Sequence, residues 1–344
     1  MRKLPKITEM VDGTKIKIVN IDVGRLLHLP ILDFKCQISK TSGEINENVF
    51  IAEYNHCRIT IKKNTKEENL NGELVRPHVL FTGSIHKMWN ELNGVKAPNY
   101  KQDQVYKGFN GNQFGLNAVI EVRRHLEALF DCSSNQMIFE NIELGVNIAP
   151  SFNPKLFLKG LLFHRDKYFE FRYNGNYAHS IHQRFTFKIY DKSQQYNMSN
   201  DVLRVELKIV RMEDLKSVGI KTFEDIKEST LDKAKCLLIK RFKEIMHYDY
   251  TIHKKKLSKK ELQKLQDYSN PRYWIEDLKP NHRGRHKDCL RSLTLKHSDK
   301  LHQQIENKII EKCVIINRLS IKDKCVINNS ECIGLNITQL VLKN

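Results

Sequence analysis

Two stretches of strict alternation constrain this chain most. In Phe185-Thr186-Phe187-Lys188-Ile189-Tyr190, the residues Phe185, Phe187 and Ile189 share one side of an extended chain, and Thr186, Lys188 and Tyr190 share the other. Val202–Val210 behaves the same way, with Leu203, Val205 and Leu207 opposite Arg204, Glu206 and Lys208. A period of two marks strands with one apolar and one polar face. Shorter β-branched runs at Lys15–Val19, Val49–Glu53, Arg58–Lys62 and Val79–Thr82 read as further strands, as do Met137–Ile148, with an interruption near Gly145, and Tyr168–Tyr173. Asn117–Phe130 is helical, since Val119, Val122, Leu126 and Leu129 recur at spacings of three and four. Pro154 opens a second helix, expected to run through Leu162. Many strands, few intervening helices and one strand-helix-strand unit predict an α+β fold: an antiparallel sheet with helices on one face, not a doubly wound parallel sheet.

After residue 220 the character changes. Thr222-Phe223-Glu224-Asp225 looks like a helix start, followed by an apolar stripe of Leu231, Ala234, Leu238, Phe242 and Ile245. Ser258-Lys259-Lys260-Glu261 is a second capping box, and residues 286–312 form a third helical stretch. The expected organisation is a catalytic α/β region over 1–220 and a basic, mainly helical region over 221–344, with no internal repeat at a fixed period. The chain of 344 residues carries 58 Lys and Arg against 40 Asp and Glu, a net +18. Residues 221–344 hold 27 and 16 of these, or +11. Lys254, Lys255, Lys256, Lys259 and Lys260 form one cluster, and Arg283 and Arg285 anchor another. Such density favours phosphate through counterion release; the alternative is a solvated lysine-rich surface. No apolar run is long enough for a membrane span, and the start lacks the apolar core of a secretory signal. Eight scattered cysteines without a CxxC pair suit a reducing cytoplasm. Cys313, Cys325 and Cys332, with His297 and His302 upstream, lack zinc-knuckle spacing and read as free cysteines.

The chemistry concentrates at Tyr190. A tyrosine at a strand end beside Lys188 and Lys192 has cations that lower its pKa and hold a phosphate, as a nucleophile for a phosphodiester requires. The alternative is a strand-end tyrosine with a hydrogen-bonded hydroxyl. Tyr196, six residues on, is a surface tyrosine or a second nucleophile, and Tyr177 is a further fallback. Glu143 and Glu206 lie in strands; as neighbours they would point at one divalent ion, and an oxygen-rich site suits Mg2+ or Mn2+. Otherwise Glu206 pairs with Arg204 or Lys208 on a solvent face.

Four segments in order carry a resemblance: Ser84-Ile85-His86-Lys87 leaving a strand; Ile142-Glu143; Tyr190-Asp191-Lys192; and Arg204-Val205-Glu206-Leu207-Lys208 followed by Leu215-Lys216-Ser217-Val218-Gly219. Together, over residues 79–220, they resemble the gene II/gene X family of phage and plasmid replication initiators. The last lysine of the Arg-x-Glu motif is shifted by one. The resemblance implies a palm-like nickase sheet and a rolling-circle endonuclease. In it Tyr190 attacks the origin phosphodiester, leaving a 5′-phosphotyrosyl link and a 3′-hydroxyl primer, and the strand is later rejoined. Lys192 assists, and Mg2+ or Mn2+ sits on Glu143 and Glu206. Origin DNA meets Lys87, Lys188, Arg204 and Lys208 as well as the C-terminal clusters, and a host helicase and polymerase are partners. Family members often carry a histidine where this chain has Leu92, so His86 becomes the candidate imidazole ligand. The His-apolar-His pair of related nickases is missing; His179-Ser180-Ile181-His182 is spaced one residue too far. The competing function is a non-catalytic, sequence-specific DNA binder of the same ancestry. An RNA-binding role finds no RNP1-like run or Gly-x-x-Gly clamp.

Overall fold

The computed structural model describes residues 10–38, 41, 43–63, 77–98 and 108–312. The first half of the chain forms β1 (Val11–Val19), α1 (Val23–Leu27), β2 (Lys35–Ile38), β3 (Ile45–Tyr54), β4 (Cys57–Lys62), β5 (His78–Ser84), α2 (Ile85–Leu92) and α3 (Leu116–Phe130). The second half forms β6 (Met137–Ile148), α4 (Pro154–Leu158), β7 (Leu161–His164), β8 (Lys167–Tyr168), β9 (Glu170–Arg172), β10 (Tyr177–Ile181), β11 (Phe185–Asp191), α5 (Lys192–Tyr196) and β12 (Leu203–Ile209). Then come α6 (Glu228–Lys243), β13 (Ile245–His247), α7 (Lys259–Tyr268), α8 (Arg283–His297) and a helical stretch over 301–312.

Ten strands make one sheet in the order β2-β3-β4-β5-β1-β6-β12-β11-β10-β9, and every pairing in it is antiparallel. The fold is thus α+β on a large antiparallel sheet. The strand order also shows a repeat that the sequence does not. β1 is followed by β2 to β5, whose meander returns to pair with β1; β6 is followed by β9 to β12, whose meander returns to pair with β6. A short helix follows the first strand of each half, and β1 and β6 adjoin at the centre. Two halves of one topology build the sheet, with β7 and β8 inserted in the second.

Apolar alternation becomes the core. Phe187, Ile189, Val205, Leu207, Leu144 and Val146 face inward, against α6 and α4; the Phe157 and Phe242 rings stack at 6.2 Å between centroids. Truncating a fully buried phenylalanine such as Phe242 costs about 3–5 kcal/mol. Because Leu231, Ala234, Leu238 and Phe242 of α6 belong to this core, as do Leu301, Ile305 and Ile309, the packed unit continues past residue 220. A second core begins at Met246: Tyr248, Leu265, Tyr268, Trp274, Leu290 and Leu293 pack with Leu162 and Phe163 of β7.

Several local expectations shift for physical reasons. The Thr222 cap closes a single 3-10 turn (Phe223–Asp225), and α6 starts at Glu228. The helix opened by Pro154 stops at Leu158; the chain then turns at Gly160, whose carbonyl accepts from Tyr248 N–H at 2.8 Å where no Cβ would fit. Residues 286–312 are two helices, not one, broken after His297 where the Ser298 hydroxyl donates to Asp249. Cys313, Cys325 and Cys332 lie outside the described residues. Among the described residues, no helix is long and apolar enough to cross a membrane.

Three histidines are buried in neutral form. His164 donates its Nε2–H to the Arg241 carbonyl at 2.9 Å, and burial pushes its pKa down to about 3; burial takes His86 to about 3 and His247 to about 4. In the unfolded chain each titrates near ~6.5. Below that pH the unfolded state binds more protons, so stability is lost as pH falls from ~6.5 towards the folded values. Unfolding free energies from urea titrations between pH 7.5 and 4.5 should fall, by up to about 1.4 kcal/mol per pH unit for each histidine, and the midpoints with them. A midpoint flat to pH 4.5 would contradict the buried neutral state.

Candidate active site

Antiparallel register turns the alternating polar residues into rows across the sheet. Arg172 of β9 pairs with Tyr177 of β10, Tyr177 with Tyr190 of β11, Tyr190 with Arg204 of β12, and Arg204 with Asn147 of β6. One step along, Glu170, His179, Lys188, Glu206 and Gly145 form a second row; Thr186, Lys208 and Glu143 lie in a third.

The rows are joined by ion pairs. Lys188 Nζ reaches Glu206 Oε1 at 2.6 Å and Glu143 Oε1 at 2.8 Å, while Lys208 Nζ meets Glu143 Oε1 at 3.3 Å. Arg204, with no exposed surface, donates Nε–H to Glu206 Oε2 at 2.9 Å, approaches Asp12 Oδ2 at 3.2 Å and donates to Asn147 Oδ1 at 3.2 Å. Asp12, from β1, also accepts from the Ser84 hydroxyl and from Asn110 Nδ2. Three cations thus alternate with three carboxylates from β1 to β11. Gly145 makes room for this, since a Cβ there would stand 2.9 Å from the Val205 carbonyl and 3.2 Å from Arg204 Nη2. The strand therefore runs unbroken through Gly145, contrary to the expected interruption.

A cavity of about 780 Å3 opens over this network, lined among others by Asp12, Lys87, Glu143, Lys188, Tyr190 and Glu206. The Tyr190 hydroxyl donates to Glu206 Oε2 at 3.4 Å. Burial, and then the Glu206 charge, raise the Tyr190 pKa well above its ordinary value. This corrects the expectation that Lys188 and Lys192 lower it. Lys188 spends its charge on two carboxylates: burial works against its protonated form, but Glu206 and Glu143 raise its pKa. Burial likewise opposes ionised Glu206, yet Lys188 and Arg204 hold its carboxyl well below the usual range. Glu143 moves the other way, raised by burial and by Glu206. Asp12 is held low by Arg204 and Lys192 in spite of burial.

Lys192, the first residue of α5, is buried, with Nζ 5.9 Å from the ring centroids of both Tyr190 and Tyr196. Lys87 lines the cavity from the first turn of α2, where the Ser84 hydroxyl caps its N–H, and burial lowers its pKa. Tyr196 is neither a surface residue nor placed as a second nucleophile: it is 1% exposed and donates to Asn110 Oδ1 at 2.5 Å.

Of the expected metal donors, Glu143 and Glu206 converge on an ammonium and His86 does not join them. The Lys188 ammonium bridges Glu143 and Glu206, and His86 turns Nε2 to Asn112 Oδ1 at 2.7 Å while its ring stacks on Phe114. Among the described residues, no group of three or more His, Cys, Asp or Glu is arranged to hold a metal ion. Two expected DNA contacts are also corrected. Arg204 is sealed in its carboxylates, and Arg283 donates Nη2–H to the Ile275 carbonyl at 2.7 Å, closing a π-helical turn (Tyr273–Asp277). Lys254, Lys255, Lys256, Lys259, Lys260 and Arg285 are exposed, away from Tyr190 in sequence and on the second core's elements.

Asp12 is the site residue that sequence reading missed. It lies more than 130 residues from its cluster partners Glu143 and Arg204, and only the β1–β6 pairing brings it there. No family model matches the chain, and no curated protein matches it significantly.

Replacing Arg204 by Leu strands Glu206 and Asp12 as buried carboxylates short of their cation. The expected loss is about 3–5 kcal/mol, read from the denaturant midpoint. A loss below about 1 kcal/mol would mean that the ion pairs carry little of the structure.

Proposed function

We propose that the protein is a DNA strand-nicking and rejoining enzyme that starts rolling-circle replication, with Tyr190 as its nucleophile. The observation that carries this reading is the Tyr190 hydroxyl, hydrogen-bonded to a buried carboxylate in a polar cavity that Lys87 also lines. The order of motifs resembling gene II/gene X initiators supports it. In the cleavage step Tyr190 Oη bonds to the scissile phosphorus and the P–O3′ bond breaks. The phenolic proton passes to Glu206 Oε2 along the existing hydrogen bond, and the departing O3′ takes a proton from solvent. The product is a 5′-phosphotyrosyl link and a free 3′-hydroxyl, whose return attack rejoins the strand. Lys87 supplies positive charge beside the phosphate, where charge builds in the transition state, and Lys192 adds its charge from the interior, 5.9 Å from the Tyr190 ring centroid.

Tyr190→Phe removes one oxygen and should leave folding and DNA affinity intact while abolishing the covalent adduct. Denaturing gels with a 3′-labelled single-stranded origin oligonucleotide and Mg2+ or Mn2+ read this directly. An adduct formed by the Phe variant would move the nucleophile elsewhere, and no adduct from wild type would favour the non-catalytic DNA binder. Lys192→Met should slow cleavage more than it weakens binding. The pKa directions add a pH signature. Tyr190 stays protonated and Glu206 ionised throughout pH 6–9, so single-turnover nicking with proton transfer to Glu206 should be nearly flat over that range. A rate that climbs about tenfold per pH unit would show that the free phenolate attacks instead.

The exposed lysines at 254–256 serve this reading as phosphate contacts for the flanking DNA. Changing all three to Ala should weaken binding to all sequences alike and reduce the salt slope by about three units or less. Unchanged affinity at low salt would reduce them to solvated surface.

A further inference from the structure

The β9–β10 hairpin, at the edge of the sheet, carries features that cleavage chemistry does not use. Its turn is Tyr173-Asn174-Gly175-Asn176, and Tyr173, Asn174 and Gly175 all lie in the left-handed region, with φ of 52°, 54° and 81°. For a bulky residue such as Tyr173 this backbone state is costly and persists only where the surroundings impose it. Tyr173 nevertheless leaves 76% of its surface in solvent, so burial does not repay that cost. From there a line of rings leads inward. Tyr173 meets Tyr177 edge-on at 6.1 Å between centroids, and Tyr177 meets Tyr190 at 5.6 Å. Arg172, exposed, begins the cross-strand row that continues through Tyr177 to Tyr190.

Besides its charged residues, the cavity is lined by the neutral amides Asn110, Asn174, Asn176, Gln194 and Gln195. Amides suit the edges of bases, which donate and accept, whereas phosphates are met by cations. Exposed aromatic faces suit unpaired bases, whose π-faces are free; in a duplex those faces are already stacked on one another.

We propose that Tyr173 and Tyr177, with Arg172 at the outer end, form a stacking platform that seats single-stranded DNA beside the phosphate at Tyr190. This rests on the reading of Tyr190 as a nickase nucleophile and assigns the substrate as unpaired bases, held by stacking next to the cleaved bond. The backbone passes Arg172, a base stacks on the open face of Tyr173, and its neighbour lies over Tyr177 with its edge towards the amides.

The test uses the full chain and an oligothymidylate carrying 5-iodouracil, since stacking is tolerant of sequence. Ultraviolet irradiation should cross-link the halogenated base to Tyr173 or Tyr177, identified by mass spectrometry. By fluorescence anisotropy, Tyr173→Ala should weaken binding of the single strand roughly 5- to 100-fold, and Tyr173→Trp should restore it. Binding of the same sequence as duplex should not respond to either change. Cross-links that map elsewhere, or a Tyr173→Ala variant that binds the single strand as wild type does, overturn the platform. Circular dichroism of each variant checks that the sheet is intact. The covalent adduct at Tyr190 is scored separately on wild type. An adduct without tyrosine cross-links removes the platform and keeps the nickase reading; cross-links without an adduct keep the platform and remove the nickase reading.

Discussion

A guanidinium without any exposed surface must be repaid wherever it is placed, and Arg204 sets the terms for the middle of this sheet. Taking a charge out of water costs several kcal/mol even after relaxation, so its partners must be in place and well aimed. Here they are Glu206 on its own strand, Asp12 on β1 and Asn147 on β6. Gly145 on β6 gives up its side chain so that the fork can lie across it. Three neighbouring strands are thereby committed to one register. A slip of one residue would turn Arg204, Glu206 and Lys208 to the apolar face and expose Val205 and Leu207. The ion network and the core enforce the same alignment from opposite faces of the sheet.

That network also decides how Tyr190 behaves. A row of lysines beside a tyrosine reads as a way to ionise it, but each cation here answers first to a carboxylate. Lys188 is shared between Glu143 and Glu206, Lys208 is bound to Glu143, and Arg204 lies between Glu206 and Asp12. What the phenol meets at close range is Glu206, and its proton is held more tightly. On the proposed reading, this keeps the nucleophile protonated at rest. A phosphate entering beside Lys87, with Lys192 buried behind the Tyr190 ring, adds negative charge of its own, so cleavage depends on those cations and on a proton acceptor already in contact. Glu206 meets the second requirement by geometry, although Lys188 and Arg204 make it a weak base.

Much of the site was legible because sheet rows are read directly from alternation. Lys188 with Glu206, and Lys208 with Glu143, become cross-strand partners once β6, β12 and β11 adjoin; β11 and β12 announced themselves by period two, and β6 as a β-prone run. The bland reading of Glu206, paired with Arg204, also describes the molecule, although in the interior and not on a solvent face. Asp12 was illegible for the opposite reason. Val11-Asp12-Gly13 offers one acid with no patterned partner nearby, and its role follows from a long-range strand pairing. Gly145 read as a break because a glycine in a strand often marks one; its actual function is clearance for a side chain on the next strand. The α6 stripe was visible, but nothing local tells that it covers the sheet rather than belonging to the helical region behind it.

The two-fold character of the sheet makes the asymmetry of the site informative. β4 holds the place in the first half that β11 holds in the second, pairing with β5 as β11 pairs with β12. Its alternation is equally clean: Cys57, Ile59 and Ile61 face the core, and Arg58, Thr60 and Lys62 face away. The packing rule is therefore duplicated, because each half must bury one face of a meander. No tyrosine stands on β4, and no carboxylate on β5 answers Arg58 as Glu206 answers Lys188. The first half instead lends Asp12 and Ser84 to the cluster built by the second, across the β1–β6 seam. Each apolar face needs residues of suitable volume and shape, which different combinations of Val, Ile, Leu and Phe supply, so a shared topology requires no shared sequence. The polar faces have no shared requirement beyond solubility until one of them acquires an internal ion network. Once it does, that face is fixed by charge pairing, and the seam between the halves is where a residue from the other half can reach it.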